Sequence, residues 1–211
     1  MNNNIGTFNE LHLDVFREIG NIGSSSAATA LSKIVDNKIS LALPRVEILK
    51  FDEIAQIMGG EETLVLGILQ PMRGDLTGNI MFLLALRQAH DLASLLMSRM
   101  LNVKKTRTES GVFSEMELSA LREIGNIMIS SYLSAISSMT NMKITSFAPE
   151  IAIDMAAAIM SVLTIEFGKI GDHVLYIANE FTQDKVKVGG DFFLVPDIAS
   201  YGVLLNALGV K

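Results

Sequence analysis

The sequence predicts an α+β fold with a mostly antiparallel sheet, built from two related halves. Displaced by 105 residues, the chain matches itself: residues 14–44 align without a gap on residues 119–149, and thirteen of those 31 positions are identical. Each of these blocks carries the apolar spacing of a long amphipathic helix. Behind each comes a group of strand-like stretches arranged as hairpins rather than alternating singly with helices.

The repeat is the firmest of these observations. Arg17-Glu18-Ile19-Gly20-Asn21-Ile22 recurs intact as Arg122-Glu123-Ile124-Gly125-Asn126-Ile127. A period of this length is too long for a solenoid and suggests a duplicated half-domain with approximate two-fold symmetry. Residues 1–105 and 106–211 are the expected halves of a single domain spanning 1–211, with the polar segment 104–111 as the joint. A weaker echo matches Gly78-Asn79-Ile80 and its apolar run to Gly190-Asp191-Phe192.

Both long helices have start signals. Thr7 with Glu10, and Ser114 with Glu117, fit a capping box. Each helix is expected to run for about 25 residues, or seven turns. In the first half, strands are expected over residues 38–43, 46–49, 63–69 and 79–85, with a shorter helix over 88–101. In the second half, strands are expected over 143–147, 158–167, 173–178 and 191–195, with a helix over 197–208. Residues 156–163 also fit the start of a helix.

Composition narrows the function. The chain has 211 residues, 49% of them hydrophobic, enough for a substantial core. Net charge is −6 and no Lys/Arg-rich run occurs, which disfavours nucleic acid as a partner. There is no Cys, so disulfides, thiolate metal sites and Cys nucleophiles are excluded. The N-terminus lacks the pattern of a secretory signal. No apolar run approaches the roughly 20 residues of a membrane span, so a cytoplasmic protein is expected. His12, His90 and His173 have no ligand-like spacing, and no metal site is expected from them. No Gly-rich phosphate loop or nucleophile elbow is present. The twelve methionines read as core filler.

The residues that stand out are polar. At about 100° per residue, with Asp14 at zero, Glu18 falls at about 40°, Asn21 at about 340° and Ser25 at about 20°. Val15, Phe16, Ile19, Ala30 and Ile34 fall between about 100° and 200°. The second helix repeats the stripe with Ser119, Glu123, Asn126 and Ser130, with Leu121, Ile124, Met128 and Ala135 turned inward. A polar stripe is ordinarily a solvated face. Asn, however, is a poor helix-interior residue, less favourable than Ala by roughly 0.5 kcal/mol. Its recurrence with Glu at one angle in both halves points to a function on an exposed surface. Gly20 and Gly125 flank the core and are expected to permit close packing.

The pattern Asp/Ser-x3-Glu-x2-Asn-x22-Pro reads Asp14, Glu18, Asn21, Pro44 and again Ser119, Glu123, Asn126, Pro149. It resembles the CheC/CheX/FliY family of chemotaxis phosphatases, over nearly the whole chain. Two motifs within a chain ending at Lys211 resemble the CheC-type members most. Ser24-Ser25 departs from the Ala-Gly of many relatives, beside the site but outside the pattern.

The resemblance implies a CheC-like fold with two long helices side by side on the sheet. It implies an enzyme that stimulates hydrolysis of the phosphoaspartate of CheY-P. Glu18, Asn21, Glu123 and Asn126 would enter the receiver site, with Asp14, Ser119, Pro44 and Pro149 supporting. The implied cofactor set is none of its own, with Mg²⁺ supplied by the phosphorylated partner. The receptor deamidase CheD is a second implied partner, docking on residues 150–159, where Asp154 interrupts an apolar stretch; Asp154 is otherwise read as a helix cap or turn residue. A monomer is expected. The alternatives are a non-enzymatic module that binds CheY-P and regulates CheD, or a flagellar-switch-like scaffold.

Overall fold

A computed structural model describes residues 10–100, 112–167, 173–183 and 186–209. The first half runs α1 (Glu10–Ile34), β1 (Ser40–Leu41), β2 (Arg45–Lys50), α2 (Phe51–Ile57), β3 (Leu64–Gly74), β4 (Gly78–Ala85) and α3 (Leu86–Met100). The second half repeats that order as α4 (Glu115–Thr140), β5 (Ile144–Ser146), β6 (Glu150–Met155), α5 (Ala156–Phe167), β7 (His173–Gln183), β8 (Val186–Pro196) and α6 (Ile198–Ala207). The Thr7–Glu10 capping box and the expected joint at 104–111 lie outside the described residues.

The eight strands of the described residues form one sheet in the order β1-β7-β8-β4-β3-β5, with β2 also on β7 and β6 also on β3. Every pairing is antiparallel. Each half therefore lends strands to the other: β2 of the first half pairs with β7 of the second, and β6 of the second with β3 of the first. At the centre β4 pairs with β8, and Phe82 stands opposite Phe192 with ring centroids 4.5 Å apart. Two-fold equivalence of the flanking ladders matches Phe82 to Phe192, and so Gly78 to Val188 rather than Gly190. The slip from the sequence echo is two residues, which leaves every side chain on its face.

Alternation along the strands makes two apolar faces. Leu66, Ile68, Phe82, Leu175, Ile177 and Phe192 point toward α1 and α4 and join the main core. Val65, Met81, Leu83, Val174, Tyr176 and Phe193 point the other way, where Ile54 and Ala55 of α2 and Ala156 and Met160 of α5 cover them.

Two expectations need correcting. Residues 158–167 belong to helix α5, not to a strand; the segment is apolar on all sides, so its period is masked. A middle helix is present in both halves, and strand β6 precedes α5. The long helices fit their expected lengths, 25 and 26 residues. The Ser114 box forms: Ser114 Oγ accepts from Glu117 N at 3.3 Å, and Ser114 N donates to Glu117 Oε2 at 2.8 Å. Asn141, left-handed at φ 56°, ends α4.

Candidate functional site

Helices α1 and α4 lie side by side on the main core face of the sheet. Two glycines let them approach it. A Cβ on Gly20 would lie 2.9 Å from Val46 Cγ2 and 3.4 Å from Pro44 Cγ; one on Gly125 would lie 2.5 Å from Ile68 Cδ1. Real Cβ atoms tolerate neither approach, so the expected packing role fits both. Pro44 thereby meets α1 beside the motif, while Pro149 is half-buried immediately before β6.

The polar stripes face outward. Asp14, Glu18 and Ser25 of α1 are exposed, as are Ser119 and Glu123 of α4. Glu18 and Asn21, like Glu123 and Asn126, stand one turn apart, the spacing at which side chains share a face. Arg17 donates to Asp14 at 2.7 Å, and neither Glu18 nor Glu123 has an ion pair among the described residues. Along the C-terminal half of α1 runs an open groove of about 630 Å³, lined by Ser25, Ser26, Thr29 and Lys33 among others, with Ile127 contributed by α4. The two asparagines are half-buried rather than fully exposed. They also differ: Asn126 Oδ1 accepts a 3.0 Å hydrogen bond from Gln70 Nε2 of β3, while the Asn21 carboxamide has no hydrogen bond among the described residues.

Beneath the pair runs a buried polar cluster. Tyr132 Oη of α4 donates to Asn179 Oδ1 of β7 at 2.6 Å. The Ser24 hydroxyl lies 2.5 Å from Gly20 O, 2.7 Å from Tyr132 Oη and 2.8 Å from Asn179 Oδ1. Burial raises the Tyr132 pKa further above its ordinary value, so the phenol stays neutral. Ser24, which departs from the usual residue of the resembled family, is thus tied to α4 and β7. Gln70, Tyr132 and Asn179 were not singled out by the sequence reading. The only trace of Gln70 and Asn179 there is a polar residue on the inward row of a strand.

Asp154 lies apart from this surface. It is an exposed residue of β6, two positions before α5, and its Oδ1 accepts from Met155 N at 2.8 Å. It is therefore a strand residue, neither cap nor turn. Ile153 and Met155 beside it are 43% and 48% exposed, an apolar patch that Leu64 extends across the ladder.

With this geometry in view, comparison with known proteins decides the family. The chain is 32% identical over 204 residues to "CheY-P phosphatase CheC" of Bacillus subtilis (strain 168), covering 96% of both chains. This chain belongs to the CheC-like family. The sequence model of that family matches residues 11–48 and 116–152, the two blocks that hold the Glu/Asn pairs. A second relative, "Putative CheY-P phosphatase CheC1" of Halobacterium salinarum, is 20% identical over 93% of this chain and 95% of its own. The fold recurs in Thermotoga maritima FliY, with a TM-score of 0.72 at 20% identity over 97% of this chain and 98% of that one. It recurs also in the middle domain of H. pylori FliM, with a TM-score of 0.67 at 15% identity over 95% and 99%. Among the described residues no helix is long and apolar enough to cross a membrane.

Proposed function

We propose that this protein is a phosphatase that hydrolyses the phosphoaspartate of CheY-P, with each Glu/Asn pair entering one receiver domain. The observation that carries this reading is the recurrence of Glu18/Asn21 and Glu123/Asn126 on the outward faces of two adjacent helices. The identity to a CheY-P phosphatase over nearly the full chain supports it.

The chemistry asks little of the protein. Water attacks phosphorus, the bond from phosphorus to the aspartyl oxygen breaks, and carboxylate and inorganic phosphate leave, the water's second proton remaining on phosphate or passing to solvent. The acyl phosphate has a good leaving group, so what remains is to place a water in line. A neutral carboxamide suits that: its oxygen accepts from the water and brings no charge near an anionic phosphoryl group. Asn21 and Asn126 take this role and convert a collision into an oriented encounter. Glu18 and Glu123 would be repelled by phosphate, so they grip a cation on the receiver, the active-site Lys, by charge-assisted hydrogen bonds. Asp14 and Ser119 form the rim, and Mg²⁺ comes with the receiver.

CheD is the second partner in this reading, docking on the patch at residues 150–159, where Ile153 and Met155 are exposed around Asp154. The protein acts as a cytoplasmic monomer. The deciding measurement is phosphate release from phosphorylated CheY. Wild-type protein accelerates it, and the Asn21→Ala/Asn126→Ala double variant lowers the acceleration by about 10²- to 10³-fold. A folded double variant with wild-type activity would falsify the proposal.

A further inference from the structure

We infer that Gln70 is a positioning residue for the second Glu/Asn pair, holding the Asn126 carboxamide in its working orientation, and that the first pair has no such device. This rests on the reading of Asn126 as the group that orients the attacking water.

Gln70 lies on the inward row of β3, between Ile68 and Met72, which are 0% and 1% exposed. That row asks for apolar side chains, yet Gln70 is itself only 1% exposed. Its Nε2 donates to Asn126 Oδ1 at 3.0 Å, and its Oε1 is buried without a partner. An orphaned buried carbonyl oxygen is destabilising. Methionine, similar in length and without that oxygen, would fill the same space. A polar group kept in the core at a cost, whose hydrogen bond among the described residues goes to the motif asparagine, is one retained for function.

The bond acts on what Asn126 can do. It selects one rotamer and one amide orientation, and leaves Nδ2 and the second lone pair of Oδ1 for groups arriving from solvent. A carboxamide already fixed by its support orients a water without first being ordered itself.

Among the described residues the first half lacks the support. Two-fold equivalence of the ladders matches Gln70 to Asn179. Asn179 is one methylene shorter and is engaged elsewhere. Its Oδ1 accepts from Tyr132 Oη at 2.6 Å, and its Nδ2 donates to Ile177 O at 3.1 Å. The two pairs are alike in sequence and unlike in preorganisation.

The test places Gln70→Met in two full-length backgrounds. Asn21→Ala leaves the second pair working, and Asn126→Ala leaves the first. With phosphorylated CheY as substrate, Gln70→Met is expected to lower kcat by about tenfold or more in the Asn21→Ala background, with KM little changed. It should leave the Asn126→Ala background unaffected, and the melting temperature should hold or rise in both. An unchanged kcat of the second pair overturns the inference. So does an equal loss in both backgrounds, which marks a structural residue. An Asn21→Ala/Asn126→Ala variant as active as Asn21→Ala would instead overturn the role of Asn126. Side-chain amide NMR of Asn126 reads the support without activity: its carboxamide should be ordered in the wild type and lose order in Gln70→Met, and no change there overturns the inference.

Discussion

The ring of Tyr132 on α4 fills the space that a side chain at position 23 of α1 would need: a Cβ on Gly23 would lie 2.5 Å from Tyr132 Cδ1. This contact and the 2.7 Å hydrogen bond between the Ser24 and Tyr132 hydroxyls set the spacing of the two long helices, and with it the spacing of the two stripes. Gly23→Ala forces the helices apart. Overpacking of this kind costs about 1–3 kcal/mol, offset by less than about 1 kcal/mol of gained helix propensity. Denaturant unfolding should show net destabilisation; an unchanged midpoint would mean that the ring can move aside.

The two asparagines should differ in stability as well as in chemistry. Asn21→Ala removes a poor helix former with no hydrogen bond among the described residues, and should be neutral or stabilising by roughly 0.5 kcal/mol. Asn126→Ala strands the buried Gln70 amide, at a cost of about 1–3 kcal/mol. Matched unfolding curves check this. Equal stabilities would show that the Gln70–Asn126 bond contributes nothing.

How much of this was legible follows from where the signals lie. The long helices and both Glu/Asn pairs are local patterns, repeated at 105 residues, so period and repeat reveal them together. Helix α5 was legible only as the alternative helix start at residues 156–163, because Ile159, Val162, Thr164 and Ile165 are β-branched and apolar residues occur all round it. At seven residues, α2 is too short for a period to show. Gln70 reads in the sequence as an interruption in an apolar strand, and its partner Asn126 is 56 residues away. Only the packing of α4 on β3 brings the two together. Ser24 carried a signal, its departure from the resembled family, but the partners that explain it lie on α4 and β7.

Charge reversal at the acidic positions should act on association. Glu18 and Glu123 are exposed and have no ion pair among the described residues, so Glu18→Lys with Glu123→Lys should change stability by less than about 0.5 kcal/mol. If both carboxylates grip a receiver lysine, the change sets cation against cation and weakens binding to phosphorylated CheY by about tenfold or more. Titration calorimetry with phosphorylated or phosphate-mimic CheY reads it, and unchanged affinity rules that role out.

Asp191 on β8 gives the fold a pH dependence. Its Oδ1 accepts from Tyr176 Oη at 2.9 Å. Burial raises its pKa above the ordinary carboxylate value of about 3.9, while the Tyr176 bond and the Arg45 charge pull it part of the way back. The native state therefore holds this proton more tightly than the unfolded chain does. Stability from this group is present below the ordinary value and is lost as pH rises through the raised one. Asp191→Asn keeps the acceptor for Tyr176 and removes the charge. The variant should match the wild type near pH 4 and gain relative stability toward pH 7, as read by urea unfolding at several pH values. A constant difference between the two would mean that Asp191 does not titrate with folding.

The two pairs should act independently, each on its own receiver. Each helix carries a full Glu/Asn pair, and neither pair lacks a residue that the other supplies. A receiver has one phosphoryl group and accepts one in-line water, so it cannot use both asparagines at once. Asn21→Ala should then leave the activity of the second pair, and Asn126→Ala that of the first. The two residual rates should add to roughly the wild-type rate, as uncoupled sites do. They should also be unequal, since Asn126 is supported by Gln70 and Asn21 is not. The measurement is steady-state phosphate release from each single variant with saturating phosphorylated CheY. If either single variant is inactive while folded, both asparagines serve one composite site, and the arrangement of two separate sites is wrong.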